Sequence, residues 1–299
     1  MAAQSRFSRR TRHPYRAESL AGLPDDLKQL AGQSLPPDDP IREIFIVPAQ
    51  VVPLKLGGKG GMRNVPEQAL LFTTRGALHV IGEGPAGQPP EATYMRGEDL
   101  FYTNLIVVLL YGRLELCSVV GGTLTRIVVE YNTVGQYLIQ PGLLFLLHLV
   151  YKPVVSEQLP DQITSRLLGQ LKGKSLKFRN GLANYALQPD ERLFGYVYQP
   201  RIYQHFWRVL KRLLVPAGLL ALTDRQLILI KEGRSSATSY GWNFTFCPRA
   251  NITGIEIVPN GELMDLCVRL TKDAVTKDHL MTLDIETAKE WQAFWMSQA

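Results

Sequence analysis

Short apolar, β-prone runs follow one another along the chain with polar turns between them, and such runs predict strands. "REIFIV" (42–47) and "LFGYVY" (193–198) are runs of this kind. Each is followed by two apolar runs joined by a polar turn, "LLFTTRGALHVI" (70–81) and "LLALTDRQLILI" (219–230). The TTRG and TDRQ segments supply the turn residues. Further strands are predicted over "LFYTNLIVVLLYG" (100–112), "GRLELCSVV" (112–120) and "TRIVVEYN" (125–132), and over "NITGIEIV" (251–258), "ELMDLCVRL" (262–270) and "LMTLDIE" (280–286). Each half then closes with a helix. In the second half it is "ETAKEWQAFWMSQ" (286–298), whose Trp291 and Phe294 form a face that can bury against a sheet. In the first it is "PGLLFLLHLV" (141–150), with Pro141 as a helix-start residue. About seven strands and a closing helix make a small β-barrel or sandwich capped by that helix, a mainly β fold with α.

The two halves are copies of one plan. Shifted by 150 residues, "VPEQALLFTTRGALHVI" (65–81) lies over "VPAGLLALTDRQLILIK" (215–231), so that Val65, Pro66, Leu70, Thr73 and Arg75 meet Val215, Pro216, Leu220, Thr223 and Arg225. The same shift lays "ELC" (115–117) on "DLC" (265–267), and a small gap brings "IVVEYNT" (127–133) onto "MTLDIET" (281–287). A repeat of this length is a duplicated domain plan, not a solenoid. The expected organisation is a basic flexible arm (1–18), a first domain (19–152), a linker with a helix (153–181) and a second domain (182–299). "LPDDLKQLAGQ" (23–33) and the start of "ITSRLLGQLKGKSLKFRNG" (163–181) read as helices ahead of each copy.

The series P-D-E-R-L (189–193), "LLALTDRQLILI", "ITGIEI" and a final helix resembles the bacterial pleckstrin-homology (PH)-like domain family over most of 182–299, and with fewer agreeing positions over roughly 30–150. The resemblance implies tandem PH-like domains that bind a lipid head group, a peptide or another copy of themselves.

Charge changes the picture at one place. The net charge of +6 divides into +5 over 1–16, −5 over 17–161, +8 over 162–223 and −2 over 224–299. The basic block contains "RIYQHFWRVLKRLLVP" (201–216). Read as a helix over 201–214, it puts Tyr203, Phe206, Trp207, Leu210 and Leu214 on one side and Arg208, Lys211 and Arg212 on the other, with Arg201 near them. A basic amphipathic element with Trp and Phe suits a membrane surface or a partner. The same residues also suit packing of the aromatics at the barrel mouth, with the cations as a solvated face. By the resemblance, 201–214 occupies the connection between the first two strands, where PH domains hold phosphoinositides; Lys55, Lys59 and Arg63 occupy it in the first copy.

That connection also carries "LGGKGGMRN" (56–64). A phosphate-binding P-loop needs Ser or Thr after its lysine and a helix beyond. Here Gly60 follows Lys59, and Val65-Pro66 leads into a strand, so an exposed connection that binds no nucleotide is expected.

No catalytic constellation is visible. The five histidines, His13, His79, His148, His205 and His279, have no metal-ligand spacing, and there is no G-x-S-x-G. The carboxylates of "PPDDP" (36–40) stand beside prolines, where Asp caps and turns. Arg75 and Arg225 match between the copies at a turn and read as structural. Cys117, Cys247 and Cys267 form no disulfide framework and point to a reducing compartment. The N-terminal run is arginine-rich without an apolar core, unlike a secretory signal. Residues 131–151 hold Asn, Gln, Pro and His and read as a buried or capping helix, not a membrane span. The expectation is a non-enzymatic cytoplasmic binding or adaptor protein without cofactor, partnered by an anionic membrane surface at the inner face of the membrane or by a protein. A protein-interacting or self-assembling scaffold is the alternative. Nucleic-acid binding ranks last, because no nucleic-acid motif accompanies the basic charge.

Overall fold

The computed structural model describes residues 13–53, 61–84, 87–151, 161–206, 210–233 and 241–297. Mainly β with helices, the chain divides by contact into two compact units. One comprises 1–98, 110–112 and 129–149; the other comprises 99–109, 113–128 and 150–299.

The first unit opens with β1 (Tyr15–Ala17) and α1 (Asp25–Ser34), the helix expected over 23–33. Asp25 and Asp26 sit in its first turn, where the helix dipole favours acids. The strands β2 (Ile41–Val47), β5 (Gln68–Thr73), β6 (Gly76–Ile81) and β7 (Glu91–Arg96) join β1 in an antiparallel sheet of order β1-β2-β5-β6-β7. Between β2 and β5 the chain makes a separate hairpin, β3 (Gln50–Pro53) on β4 (Met62–Val65). One core gathers Leu27 and Ala31 of α1 on Ile44, Ile46, Leu71, Leu78 and Val80.

On the other side lies α2 (Gln136–Val150). Pro141 does not start this helix but lies inside it. The lost hydrogen bond falls on the carbonyl four residues back, that of Tyr137, an exposed residue. The next residue, Gly142, packs directly on the Phe72 ring, where a Cβ would collide. Thr133–Val150 is the one helical stretch among the described residues long and apolar enough to cross a membrane. Its Ile139, Leu143, Leu146 and Leu147 are buried.

The second unit holds α3 (Asp161–Lys174), α4 (Leu176–Gly181), β11 (Leu193–Gln199), β14 (Gly218–Thr223), β15 (Gln226–Glu232) and β16 (Trp242–Pro248). Onto β16 is added a meander from the first half of the sequence, β8 (Leu100–Val108), β9 (Tyr111–Val120) and β10 (Thr123–Tyr131). The result is a seven-stranded sheet of order β10-β9-β8-β16-β15-β14-β11. The joint is antiparallel, with Phe244 opposite Leu105 and Trp242 opposite Val107. A three-stranded sheet of β17 (Ile252–Asn260), β18 (Leu263–Lys272) and β19 (Val275–Leu283) follows, and α5 (Ile285–Met296) closes the chain. The core of this unit puts Trp291 of α5 among Leu220, Leu229, Leu266, Val268 and Leu283. No sheet closes into a barrel among the described residues. The sheets are open, because β7 ends its own sheet and β8 pairs with β16 instead.

The element order recurs. A strand, a two-stranded hairpin, two strands, a fourth strand, a three-stranded meander and a helix run from β2 to α2 and again from β11 to α5, the second hairpin being β12 (Ile202–Phe206) on β13 (Leu210–Val215). Finer details recur too. A bulge leaves Arg42 extra in β2 against β5, and another leaves Phe194 extra in β11 against β14. Each bulge stands in the strand that opens the recurring order of elements. Gly97 N–H donates to Arg75 O at 2.7 Å, as Arg249 N–H does to Arg225 O at 2.9 Å.

The shift between corresponding elements is not uniform. It is 150 residues at the turn following β5 and β14, but 152 from Gly121 to Asp273, which begin matching two-residue turns with positive φ. The same 152 separates Asn132 and Asp284, whose side chains cap the closing helical segments. "ELC" therefore does not match "DLC": Cys117 lies level with Arg269, and Cys267 with Glu115. Both cysteines are nonetheless buried and free, as is Cys247.

The matched turns are held by buried carboxylates. Asp39 accepts from Thr73 Oγ1 at 2.5 Å, Tyr94 Oη at 2.6 Å, Thr74 Oγ1 at 3.0 Å and Arg75 N at 2.9 Å. Burial opposes its ionisation, but these bonds outweigh burial and hold its pKa below the usual value. Glu191 does the same work at the turn after β14. It accepts from Thr223 Oγ1 at 2.5 Å, Gln188 N at 3.0 Å and Gln226 Nε2 at 2.8 Å. Here burial dominates and pushes the pKa up to about 7. Arg225, as expected of a structural residue, is buried on Asp190 at 2.5 Å and Gln188 at 2.9 Å.

A folded pKa raised above the unfolded value means that the native state holds the proton more tightly. That stability is fully present below the unfolded pKa of 4.5 and is lost as pH rises through about 7. Glu191→Gln removes the titration, so its stability relative to wild type is expected to rise by about 3 kcal/mol from acid pH to pH 8. Urea unfolding of both proteins at the two pH values measures this, and contributions from other groups cancel in the difference. A difference that stays constant with pH would show that Glu191 does not titrate as described.

Candidate functional site

The helix expected over 201–214 is not formed. Residues Ile202–Phe206 and Leu210–Val215 are strands of an antiparallel hairpin, with Tyr203 opposite Leu213 and Gln204 opposite Arg212. The segment satisfies both periods. Its Ile, Tyr, Phe and Val favour a strand, and the first copy makes the equivalent hairpin from β3 and β4. Leu214 is the extra residue of a bulge, because Ile202 pairs with Val215 and Tyr203 with Leu213. The hairpin is a two-stranded sheet of its own. Tyr203 is 42% exposed, Leu214 38% exposed, and Arg212 is exposed.

The base of this hairpin is a charged and aromatic cluster that sequence reasoning missed. Glu232 ends β15 and pairs across the sheet with Trp242, which begins β16. Arg201 enters from the end of β11, and Lys177 from α4, a helix capped by Ser175. Glu232 Oε2 accepts from Arg201 Nε at 2.7 Å, and Oε1 from Lys177 Nζ at 2.6 Å. Burial pushes the Glu232 carboxyl up, but the two cationic donors outweigh it and hold its pKa below the usual range. The bond to Glu232 in turn raises the pKa of Arg201. Lys177 Nζ also stands 4.6 Å from the Trp242 ring centroid, and Phe178 meets Trp242 edge-on at 5.3 Å. The trio carries a net charge of +1, so Arg201 braces the fold and is not a free cation.

Arg63 is committed in the same way. It ion-pairs with Glu130, which also accepts from the Tyr111 hydroxyl. The Glu130 carbonyl accepts from Gln50 Nε2 at 2.6 Å and Gln68 Nε2 at 3.3 Å, and Gln68 Oε1 meets His79 Nε2 at 2.8 Å. Of the seven cations nominated from the sequence, Arg63 and Arg201 are thus paired and Arg212 is exposed. Lys55, Lys59, Arg208 and the Lys211 side chain lie outside the described residues, as do Trp207 and most of the glycine-rich loop.

Other reactive groups are tucked away. Burial lowers the pKa of His79 and of His279 to about 4, so both imidazoles are neutral at pH 7. Burial raises the Cys117 thiol to about 11 and pushes Cys247 and Cys267 up as well, so the nucleophilic thiolate is disfavoured. No group of three or more His, Cys, Asp or Glu is gathered as a metal site among the described residues. No family model matches the chain, and no curated protein is significantly similar to it.

Proposed function

We propose that the chain is a non-enzymatic binding protein of two PH-like repeats, and that the second repeat engages an anionic membrane surface through the β12–β13 hairpin. The duplicated order of strands, hairpin, meander and closing helix supports the family reading. The observation that carries the functional reading is the hairpin itself. It holds exposed Tyr203, Arg212 and Leu214 on a ribbon that joins no larger sheet, within the stretch of ten basic and two acidic residues over 162–223. Apolar and cationic groups on one separate ribbon suit an anionic bilayer, where the first enter the interface and the second meet head groups.

A self-assembling scaffold would recruit a sheet edge. The edge strand β17 carries a bulge at Thr253, the exposed charge of Glu256 and Pro259, all of which oppose strand addition. Co-sedimentation of the intact protein with vesicles tests the reading. Pelleting with anionic but not zwitterionic vesicles is expected, and equal behaviour with both opposes it.

A further inference from the structure

The turn after β14 is one proton short. Thr223 Oγ1 accepts from the N–H groups of Gln226 at 2.9 Å and Arg225 at 3.2 Å. It also stands between two acceptors, Glu191 Oε1 at 2.5 Å and Gln226 O at 3.0 Å. A hydroxyl has one proton to give. If Glu191 is a carboxylate, Thr223 serves one acceptor and leaves the other, in a buried turn, without a donor. If Glu191 is a carboxylic acid, it donates to Thr223 Oγ1 and Thr223 donates to Gln226 O, so both contacts are satisfied. The matching Thr73 faces no such choice: its hydroxyl finds one acceptor among the described residues, Asp39.

The surrounding charges point the same way. Glu191 is buried and forms no ion pair among the described residues. The Arg225 guanidinium goes to Asp190 and Gln188, and Arg249, just past β16, reaches Thr223 O at 3.5 Å. Asp224 opposes the ionisation of Glu191, and the Tyr151 hydroxyl, held on Phe246 O at 3.3 Å, lies within reach of the same carboxyl's field. Asp190 and Arg192 flank it in sequence. A buried carboxylate without a cation is costly, and holding a proton removes the cost.

This end of the sheet is a junction. Arg192 N–H donates to Asp224 Oδ1 at 3.0 Å, and Asp224 N–H donates to Arg192 O at 3.0 Å. The next N–H along, that of Leu193, donates to Thr164 Oγ1 of α3 at 3.1 Å. The hairpin lies at the far end of the same strands, since β11 and β14 pair Leu193 with Thr223 here and Gln199 with Gly218 there.

We infer that Glu191 and Thr223 form a proton-operated latch, which closes 188–193 on the turn 223–226 while Glu191 is protonated and loosens that segment, and α3 with it, when the proton leaves for solvent. Burial raises the Glu191 pKa from 4.5 to about 7, so the change falls near neutrality. Opening returns the carboxyl to water and to its ordinary pKa, so the open form gains as pH rises. The latch is independent of the membrane reading and uses no hairpin residue.

Amide hydrogen exchange of the intact protein without vesicles, at pH 6 and pH 8, tests it. Glu191→Gln keeps the shape and cannot ionise, and comparing the two proteins at each pH cancels the pH dependence of the exchange chemistry. The ratio of wild-type to variant rates across 188–193, 223–226 and 161–174 should rise about tenfold from pH 6 to pH 8, the change in local opening given by a pKa of about 7 closed and 4.5 open. It should stay constant around the Asp39 turn and across the hairpin. Infrared difference spectra should show a protonated carboxyl at pH 6 that the wild type loses by pH 8, and this band tests the latch by itself if the variant does not fold. A ratio that is the same at both pH values, a rise spread evenly over the second unit, or absence of the carboxyl band at pH 6 overturns the inference.

Discussion

Trp291→Ala is expected to destabilise the protein by about 3–5 kcal/mol, the cost of emptying a fully buried aromatic site. Trp291 is fully buried, stacks on Trp295 with ring centroids 6.2 Å apart, and lies 5.5 Å from the Phe294 ring. It is the wedge by which α5 covers the core of the second unit. Its Nε1 is buried and finds no acceptor among the described residues. Trp291→Phe keeps most of the volume and removes that unpaired donor, so it should cost about 1.5 kcal/mol or less. Chemical denaturation of the three proteins measures both effects. Equal losses from Ala and Phe would mean that packing at this site does not hold the helix down.

Reversing Arg208, Lys211 and Arg212 together to glutamate should lower partitioning onto anionic vesicles by roughly two orders of magnitude or more. Each basic residue near such a surface contributes about 1 kcal/mol, and 1.4 kcal/mol is tenfold. The difference should shrink with added salt, because the Debye length falls from about 8 Å at physiological ionic strength to about 3 Å at 1 M. Arg201→Gln is the contrasting variant. It leaves Glu232, 5% exposed at its side chain, with Lys177 alone, so it should lower stability more than vesicle binding. Sedimentation and urea unfolding of both variants separate the two roles. If Arg201→Gln lost binding at full stability, Arg201 would be a ligand residue after all.

The strands were legible where pattern is local. β5, β6, β14 and β15 follow from continuous apolar runs on either side of the Thr-Arg turns, and the 150-residue shift follows from the same residues. Between 201 and 214 pattern failed, since spacings of three and four can be met by chance in a short β-prone segment, and no glycine in 201–214 signals a turn. Pro141 misled because the hydrogen bond it removes falls at Tyr137, an exposed residue, where the loss is tolerated and the helix runs on upstream. The pairing of β8 with β16 joins residues far apart in sequence, and no local period encodes which edge a strand will choose. For the same reason the charged site was half legible. The cations could be counted, but the partners that engage Arg63 and Arg201 lie 67 and 31 residues away.

The central claim is that the β12–β13 hairpin meets an anionic surface, and amide hydrogen exchange of the intact protein with and without anionic vesicles tests it most directly. The account predicts slowed exchange across 202–215 when anionic vesicles are present, no change with zwitterionic vesicles, and loss of the protection on reversing Arg208, Lys211 and Arg212. Vesicle binding that leaves exchange across 202–215 unaltered would contradict it.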